Sequence, residues 1–315
     1  MSLPKDAAAA RIGWIGLGTL GQVMALKLQQ HRAAASLSPL AVYNRTQSKC
    51  AAVEQAGANV AATVTEVALC SNVLFLSLFD DQSVKTVVGQ IINFYTSANC
   101  TETAEPLLIA DTTTVQPQTT EWVKEQIRHP ALRRPIEFSQ TPVWGAPPAA
   151  RAAQLVLVTS SKHEQLLRSI AVPAIARTTI DCGDDPARAA KFKIMGNFMI
   201  ASAIEALGEA YAVAHESGIS RELYLKFVEE VLPAPPIVGY ARKMAEEGGE
   251  ASKSQVGFTV RGGLKDVGYA IDVAENVGMT LPIAQLARQH LEWVLDNGEA
   301  DWDWSSLAFA LRKPE

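Results

Sequence analysis

The sequence predicts an α/β chain in two parts: a doubly wound, mainly parallel sheet over residues 1–184, then an all-helical part over 185–315. Three observations carry that expectation. Short apolar, β-rich runs alternate with helix-period stretches up to about residue 183. A glycine-rich turn joins the first such run to the first helical stretch. From Pro186 onward the pattern becomes helical throughout.

Strands are expected over 12–17, 41–44, 73–78, 107–111, 137–141, 155–159 and 178–181, with helices over 20–30 and 82–94 between the early ones. Alternation of this kind implies parallel strands joined by right-handed crossovers. From Ala187 to about Ser217 the chain holds no proline, is rich in Ala, Met, Ile and Glu, and has apolar residues at helical spacing. Gly218 is the expected C-terminal cap. A helix this long exceeds an ordinary surface helix, so it is expected to link the two parts or to run through the middle of a homodimer. Its alanine-rich, nearly all-round apolar surface needs such cover. Three more helices are expected over 221–232, 259–277 and 283–297. Leu232-Pro233-Ala234-Pro235-Pro236-Ile237 should break the chain between two of them. No internal repeat is present.

Composition narrows the function. The 315 residues are 48% hydrophobic and 19% charged, which is enough apolar surface for a buried core and argues against disorder. The net charge is -5 with no basic run, which sets nucleic-acid binding aside. No stretch of about 18 apolar residues occurs, so no membrane span is expected. The N-terminal segment lacks the apolar core of a secretory signal, and the C-terminal residues carry no lipidation or peroxisomal signal. The expected location is therefore the cytosol. Cys50, Cys70, Cys100 and Cys182 are too far apart for a zinc site and are expected to be buried, reduced thiols.

Ile12-Gly13-Trp14-Ile15 runs into Gly16-Leu17-Gly18-Thr19-Leu20-Gly21, and helical sequence follows. A lone GxGxxG is weak evidence; with a strand before it and a helix after it, the motif indicates a Rossmann-type dinucleotide site. Gly16 makes the tight turn, Gly18 lets a pyrophosphate approach the backbone, and Gly21 lets helix and strand pack closely. The helix N-terminus offers free N–H groups and a positive dipole end. The second strand ends in Asn44-Arg45-Thr46, where an NAD-binding site would usually place a carboxylate for the ribose 2′-hydroxyl. Arg45 instead offers a fork of donors to a 2′-phosphate and a plane to stack on adenine, with Asn44 and Thr46 adding neutral hydrogen bonds. NADP(H) is the expected cofactor.

Four further motifs, in this order, make the chain resemble the β-hydroxyacid dehydrogenase family over nearly its whole length. Asp111-Thr112-Thr113-Thr114-Val115-Gln116-Pro117 resembles the family's DxSTxxP loop. Pro142-Val143-Trp144-Gly145-Ala146 resembles its PVSGG turn, with Trp144 for serine and Ala146 for glycine. Ala189-Ala190-Lys191-Phe192-Lys193-Ile194-Met195-Gly196-Asn197 is similar to GxxxKxxxN, with Ala189 for the first glycine. Phe258 through Leu264-Lys265-Asp266 resembles its F…L…KD element.

The resemblance implies hydride transfer between NADP(H) and a small aldehyde or ketone, such as a semialdehyde or 3-oxo acid, and the matching alcohol or 3-hydroxy acid. It implies Lys193 as general acid and base, with Asn197 holding the substrate or the lysine. Lys191 competes for that role, but the i,i+4 spacing puts Lys193 and Asn197 on one helical face and Lys191 nearly opposite. Burial beside a positive nicotinamide would lower the pKa of Lys193, which suits the oxidative direction. Thr113, Thr114, Trp144 and Gly145 are implied on the substrate side. On the cofactor side are Gly16, Leu17, Gly18, Thr19, Leu20, Gly21, Asn44, Arg45 and Thr46, with Leu78, Phe79, Thr114 and Lys265 nearer the nicotinamide. No metal is implied. Imine reductases share the scaffold but generally lack the lysine. A non-catalytic cofactor-binding protein of this fold would have no use for Lys193 and Asn197 together. A site for some other nucleotide fits neither Asn44-Arg45-Thr46 nor the helical second part.

Overall fold

A computed structural model describes residues 2–98, 100, 103, 105–246 and 250–311. Contacts divide the chain into two units, Met1–Lys193 and Ile194–Glu315.

The first unit alternates strands and helices: β1 Ile12–Ile15, α1 Thr19–Ala34, β2 Ala41–Tyr43, α2 Ala51–Gln55, β3 Asn59–Val60, α3 Val64–Cys70, β4 Val73–Leu76, α4 Asp81–Thr96, β5 Leu107–Asp111, α5 Pro117–Gln126 and β6 Ile136–Gln140. Then come β7 Val143–Trp144, α6 Pro147–Arg151, β8 Leu155–Thr159, α7 Glu164–Ala171, β9 Ala176–Asp181 and the start of α8, Pro186–Glu216. The first six strands form one sheet in the order β3-β2-β1-β4-β5-β6, every pairing parallel. This is the Rossmann-type doubly wound order, and its direction reverses between β1 and β4. Ligands bind such sheets at the carboxyl ends of the strands flanking that reversal.

The alternation of side chains explains why these strands are continuous apolar runs. Ile12 and Trp14 of β1, Val73 and Phe75 of β4, and Leu108 and Ala110 of β5 join one core with Met24, Ala25 and Leu28 of α1. Ile15, Leu74, Leu76, Leu107 and Ile109 point the other way, into a core with Val67 of α3 and Val84, Val88 and Ile91 of α4. Helices on both faces leave no solvated side, so β1 and β4 are apolar throughout and β5 is apolar up to Asp111 at its carboxyl end.

The last three strands lie apart from the large sheet. β7, β8 and β9 form a second sheet, antiparallel between β7 and β8 and parallel between β8 and β9. The two-residue strands β3 and β7 were too short to show as periodic runs. Trp144, expected in a turn, ends β7, and the turn begins at Gly145.

The second unit holds the rest of α8 with α9 Arg221–Val231, α10 Pro235–Ala245, α11 Glu250–Ser254, α12 Val260–Glu275, α13 Pro282–Asn297 and a 3₁₀ segment, Trp304–Leu311. Its core gathers Ile204 and Leu207 of α8, Val228, Val260, Val267, Ala284, Leu291 and Trp304. Gly218 ends α8 at φ +80. The proline cluster interrupts the helices only at 232–234: Pro235 opens α10, where its missing N–H costs nothing. Helix α10 was not foreseen for that reason, and α11, at 5 residues, is too short to show a helical period. Burial of the cysteines is only partial: Cys50 and Cys100 are buried, but Cys70 is exposed and Cys182 half-buried. Among the described residues no helix is long and apolar enough to cross a membrane.

Candidate active site

The turn after β1 is built by three glycines with three different jobs. Gly16 sits at φ +99, and a Cβ there would lie 2.2 Å from Ser77 O, the carbonyl just past β4. A Cβ on Gly21 would lie 2.4 Å from Gly16 O. Both positions therefore exclude any side chain. Gly18 differs: its backbone is extended at φ −69, and a Cβ would meet nothing within 4 Å. Glycine at 18 leaves open space beside the N-terminus of α1, whose first turn has no acidic residue and whose Gly18 cap supplies no side-chain bond. Donors and dipole at that helix end thus meet no competing carboxylate of the first turn.

The turn is braced from behind. Gly16 N–H donates to Tyr43 O at 3.0 Å, and the indole Nε1–H of Trp14 donates to Gly16 O at 3.1 Å. Asn44 Oδ1 accepts from Leu17 N–H at 2.8 Å, while its Nδ2 donates to Thr46 O at 2.9 Å. Asn44, expected to reach a ligand, uses both ends of its amide within the protein. Arg45 and Thr46 beside it are exposed, as are Gly18 and Thr19; Leu17 and Gly21 are buried and Leu20 half-buried.

The loops after β4 and β5 are tied together through Thr113. Its N–H donates to Asp111 Oδ1 at 3.0 Å, its Oγ1 accepts from Leu78 N–H at 2.9 Å, and its carbonyl accepts from Gln140 Nε2 at 2.7 Å. Gln140 is in turn bonded through its backbone N and O to Ser160 Oγ. Thr113 is 3% exposed and acts as a brace, whereas Thr114 is half-buried and Phe79 is 49% exposed. Trp14 and Gln140 were missed as site-building residues. Trp14 gave no signal within an apolar run. Gln140 gave one, since Ser139-Gln140-Thr141 puts polar groups at the carboxyl end of a buried strand.

Trp144, Gly145 and Lys193 come together in the first unit. Gly145 has φ +130, and a Cβ there would fall 2.5 Å from Leu155 Cδ2. The half-buried Trp144 lies perpendicular to Phe192, with ring centroids 5.2 Å apart at 88°. Lys193 Nζ stands 5.2 Å from the centroid of the same indole. Lys193 is 7% exposed; Lys191, two residues back on α8, is exposed.

In the second unit Asn197, one helical turn beyond Lys193, is 6% exposed, and its Nδ2 donates to Asp266 Oδ2. Asp266 is 1% exposed, so it is no solvated surface charge. Its Oδ1 receives Lys265 Nζ at 2.7 Å, and Lys265 also faces the Tyr269 ring at 4.6 Å. The carboxylate thereby fixes the amide of Asn197 and the ammonium of Lys265 together. Among the described residues no group of three or more His, Cys, Asp or Glu side chains is placed to hold a metal ion.

Residues 11–181 match the family model for the NAD binding domain of 6-phosphogluconate dehydrogenase, and residues 187–311 match that for NAD-binding of NADP-dependent 3-hydroxyisobutyrate dehydrogenase. The chain belongs to the β-hydroxyacid dehydrogenase family. It is accordingly an NAD(P)-dependent oxidoreductase of the hydroxyacid type. Among its β-hydroxyacid dehydrogenase relatives, an uncharacterized oxidoreductase, YfjR, of Bacillus subtilis is 29% identical, with 94% of this chain and 98% of that protein aligned. The NADH-dependent oxidoreductase ucdB of Aspergillus ustus is 28% identical over 87% of this chain and 90% of its own length. The fold is shared with 3-hydroxyisobutyrate dehydrogenase of Mycobacterium tuberculosis at a TM-score of 0.74 and 20% identity, covering 96% and 99% of the two chains. Within this family's pattern, the departure with a visible structural effect is Trp144, because it puts an aromatic face beside Lys193.

Proposed function

We propose that this chain is an NADP(H)-preferring enzyme interconverting a small aldehyde or ketone and its alcohol, with Lys193 as proton donor and acceptor. The observation that carries this reading is a buried lysine on α8, one turn from an asparagine that Asp266 holds in place. Neither side chain is explained by packing alone, since a buried ammonium is costly unless it has work or partners.

The residues present fit a dinucleotide. The Gly16–Gly21 turn, with its open face at Gly18, would take the pyrophosphate through the backbone N–H groups of Thr19 and Leu20, with Leu17 N–H holding the turn to Asn44. Arg45 and Thr46 are exposed and would meet a 2′-phosphate, with Asn44 setting the shape of the loop that carries them. Leu78, Phe79 and Thr114 would border the nicotinamide, and Lys265 is assigned to the same end by family resemblance. The nicotinamide, when bound, supplies or accepts the hydride. As hydride reaches the carbonyl carbon, negative charge develops on oxygen, and the Lys193 ammonium donates its proton there. In the oxidative direction neutral Lys193 takes the hydroxyl proton. Asn197 orients the substrate oxygen or the lysine itself. Thr113 holds the loop, and Thr114, Gly145 and Trp144 meet the rest of the substrate. Trp144 favours an apolar substituent over a carboxylate.

The fungal relative is named for NADH, so cofactor choice needs its own support. It comes from Asn44-Arg45-Thr46, where no carboxylate stands to repel a 2′-phosphate. A homodimer through α8 is supported by Met199 and Val213, each 66% exposed on that helix. Sedimentation at micromolar concentration reads it directly, and a monomer would remove it.

A panel of aldehydes, ketones and ketone–amine mixtures, assayed with NADPH and NADH by loss of reduced-cofactor absorbance, tests the whole reading. Turnover of carbonyls with NADPH that Lys193→Ala abolishes is expected. Turnover only when amine is present, untouched by Lys193→Ala, would replace it with imine reduction.

A further inference from the structure

The immediate surroundings of Lys193 contain an arrangement the family pattern does not predict. The lysine and the residue before it reach the same ring: Lys193 Nζ stands over the indole of Trp144, and Phe192 meets that indole at 88°. Neighbours on a helix point about 100° apart, so a single indole can touch both only from between them. The indole itself is held firmly. Its backbone is paired with β8 through Val143↔Leu157 and Trp144↔Val156. On its far side the chain turns at Gly145, where φ +130 and the Leu155 side chain leave no alternative to glycine.

A lysine side chain has four rotatable bonds and no intrinsic preference for one end point, whereas an acid–base catalyst must stand within hydrogen-bond reach of one atom. An ammonium over an indole face is attracted by the ring quadrupole, tryptophan being the strongest of the aromatic partners, and the attraction grows when both are withdrawn from water. Lys193 is 7% exposed and Trp144 half-buried. The other charges on this stretch of α8 are Arg188, whose guanidinium donates to Cys182 O at 3.1 Å, and the exposed Lys191. Asp185, just before the helix, accepts from Ala187 N–H and lies 3.7 Å from Lys124. The strands β7 and β8 bring no charged side chain, and in the helical unit Asp266 is tied to Asn197 and Lys265.

We propose that Trp144 is the positioning residue for Lys193, its ring face holding the ammonium where the substrate oxygen is to be protonated while Phe192 fixes the plane of the ring. This rests on the reading of Lys193 as the acid and base. The indole thereby serves two ends at once. It turns an apolar face to the substrate where the family pattern has a serine, and it steadies the charged form of the lysine, which favours the reductive direction.

The test uses the full chain with NADP⁺ bound. Protein labelled with ¹³C at lysine Cε is titrated by NMR, and the Lys193 signal is identified as the one missing from Lys193→Met. Trp144→Leu is expected to lower the Lys193 pKa by about 0.4–1.5 units, and Trp144→Phe by less, because a phenyl face attracts a cation more weakly. Reductive kcat should fall about 2- to 30-fold in Trp144→Leu with cofactor KM unchanged, and its high-pH limb should move down with the NMR value. An identical Lys193 pKa and pH profile in wild type and Trp144→Leu would overturn the proposal. If the leucine variant does not fold, Trp144→Phe decides alone, and no shift in it counts against the ring. Failure of the underlying reading looks different: Lys193→Met would then keep its turnover.

Discussion

The turn after β1 and the opening turns of α8 are the two parts of the candidate site, and they are made in opposite ways. The first is built by subtraction: glycines at 16 and 21 let backbone pack where no side chain fits, Gly18 leaves open space beside the N-terminus of α1, and Trp14 and Asn44 brace the turn. The second is built by addition: Lys193 and Asn197 bring their own functional groups, with Lys193 against the Trp144 ring and Asn197 bonded to Asp266. A subtractive site tolerates almost any chemistry around it but no added atom. An additive site tolerates neighbours that pack but not a change of the group itself.

The contrast is broken most severely at Lys193. Lys193→Ala should lose about 10²–10⁴-fold in turnover while binding NADPH nearly as the wild type does. Lys191→Ala, exposed on the same helix, is the control and should stay active. Fluorescence titration beside steady-state rates separates the two effects, and a dead Lys191→Ala with a live Lys193→Ala would move the catalytic register by two residues.

Single added carbons sharpen the subtractive side. Gly18→Ala should melt at the wild-type temperature, because its Cβ meets nothing and its backbone suits alanine. It should nonetheless bind NADPH about 5- to 150-fold more weakly, as expected of a one-methyl clash with a closely approaching ligand. Gly16→Ala adds the same atom at φ +99 against Ser77 O and should instead unfold at lower temperature. Unchanged NADPH affinity in Gly18→Ala would mean that the open face at Gly18 has nothing to do with the cofactor.

Arg45, exposed beside the turn, is proposed to act through its own side chain. Arg45→Ala should cost roughly ten- to a hundredfold in NADPH affinity and leave NADH affinity alone, in line with a charge-assisted bond worth about 1.5–3 kcal/mol. Equal affinities for the two cofactors in the wild-type protein would remove the preference altogether.

The smallest effect compares two glutamate–histidine pairs, one in each unit. Glu137 meets His163 at 2.7 Å and Glu205 meets His290 at 2.6 Å, yet their carboxyls shift in opposite directions. Burial pushes Glu137 up, but hydrogen bonds from His163 and Lys162 outweigh it and hold the group below its ordinary value. Burial also pushes Glu205 up; there His290 does not compensate, Glu209 adds to the push, and Oε2 has no hydrogen-bond partner. A lowered carboxyl contributes stability that is present above its ordinary pKa and is lost as pH falls through the folded value. A raised one contributes stability below its ordinary pKa that is lost as pH rises through the folded value. Melting temperatures across the carboxylate range should therefore show Glu137→Gln falling behind the wild type as pH rises, and Glu205→Gln gaining on it. Parallel curves for both variants would refute the assignment.

How legible these regions were in sequence follows from the same contrast. Gly16, Gly18 and Gly21 announce themselves because glycine between a strand and a helix has a narrow set of uses, and the long α8 showed through thirty residues of unbroken helical spacing. The β1, β4 and β5 runs were legible because burial on both faces makes them apolar, up to Asp111 at the end of β5. The strands β3 and β7 were not, since two residues carry no period. Helix α10 was hidden by Pro235, which reads as a breaker until it is seen at the first helical position. Lys193 was singled out by its i,i+4 relation to Asn197, but Trp144, which meets Lys193, and Asp266, which meets Asn197, each lie far from them in sequence. Nothing at position 266 in the sequence says that the carboxylate is buried, and nothing at 144 says which face of the indole is used. Nothing at Asn44 in the sequence says that its amide is engaged with Leu17 and Thr46.

One feature of α8 bears on how such chains recombine. The two family models meet in the gap between residues 181 and 187, at the helix start, while the contact division falls after Lys193, about two helical turns later. A crossover at the helix start, the natural seam by homology, would take the lysine from one parent and the side chain beneath its ammonium from the other. If the first parent's partner at 144 were serine, the chimera would inherit two intact folds and a mismatched acid. The unit that can be exchanged without that penalty is the nucleotide domain together with Pro186 through Lys193, so shuffling between relatives of this chain should place its joint inside the helix rather than before it.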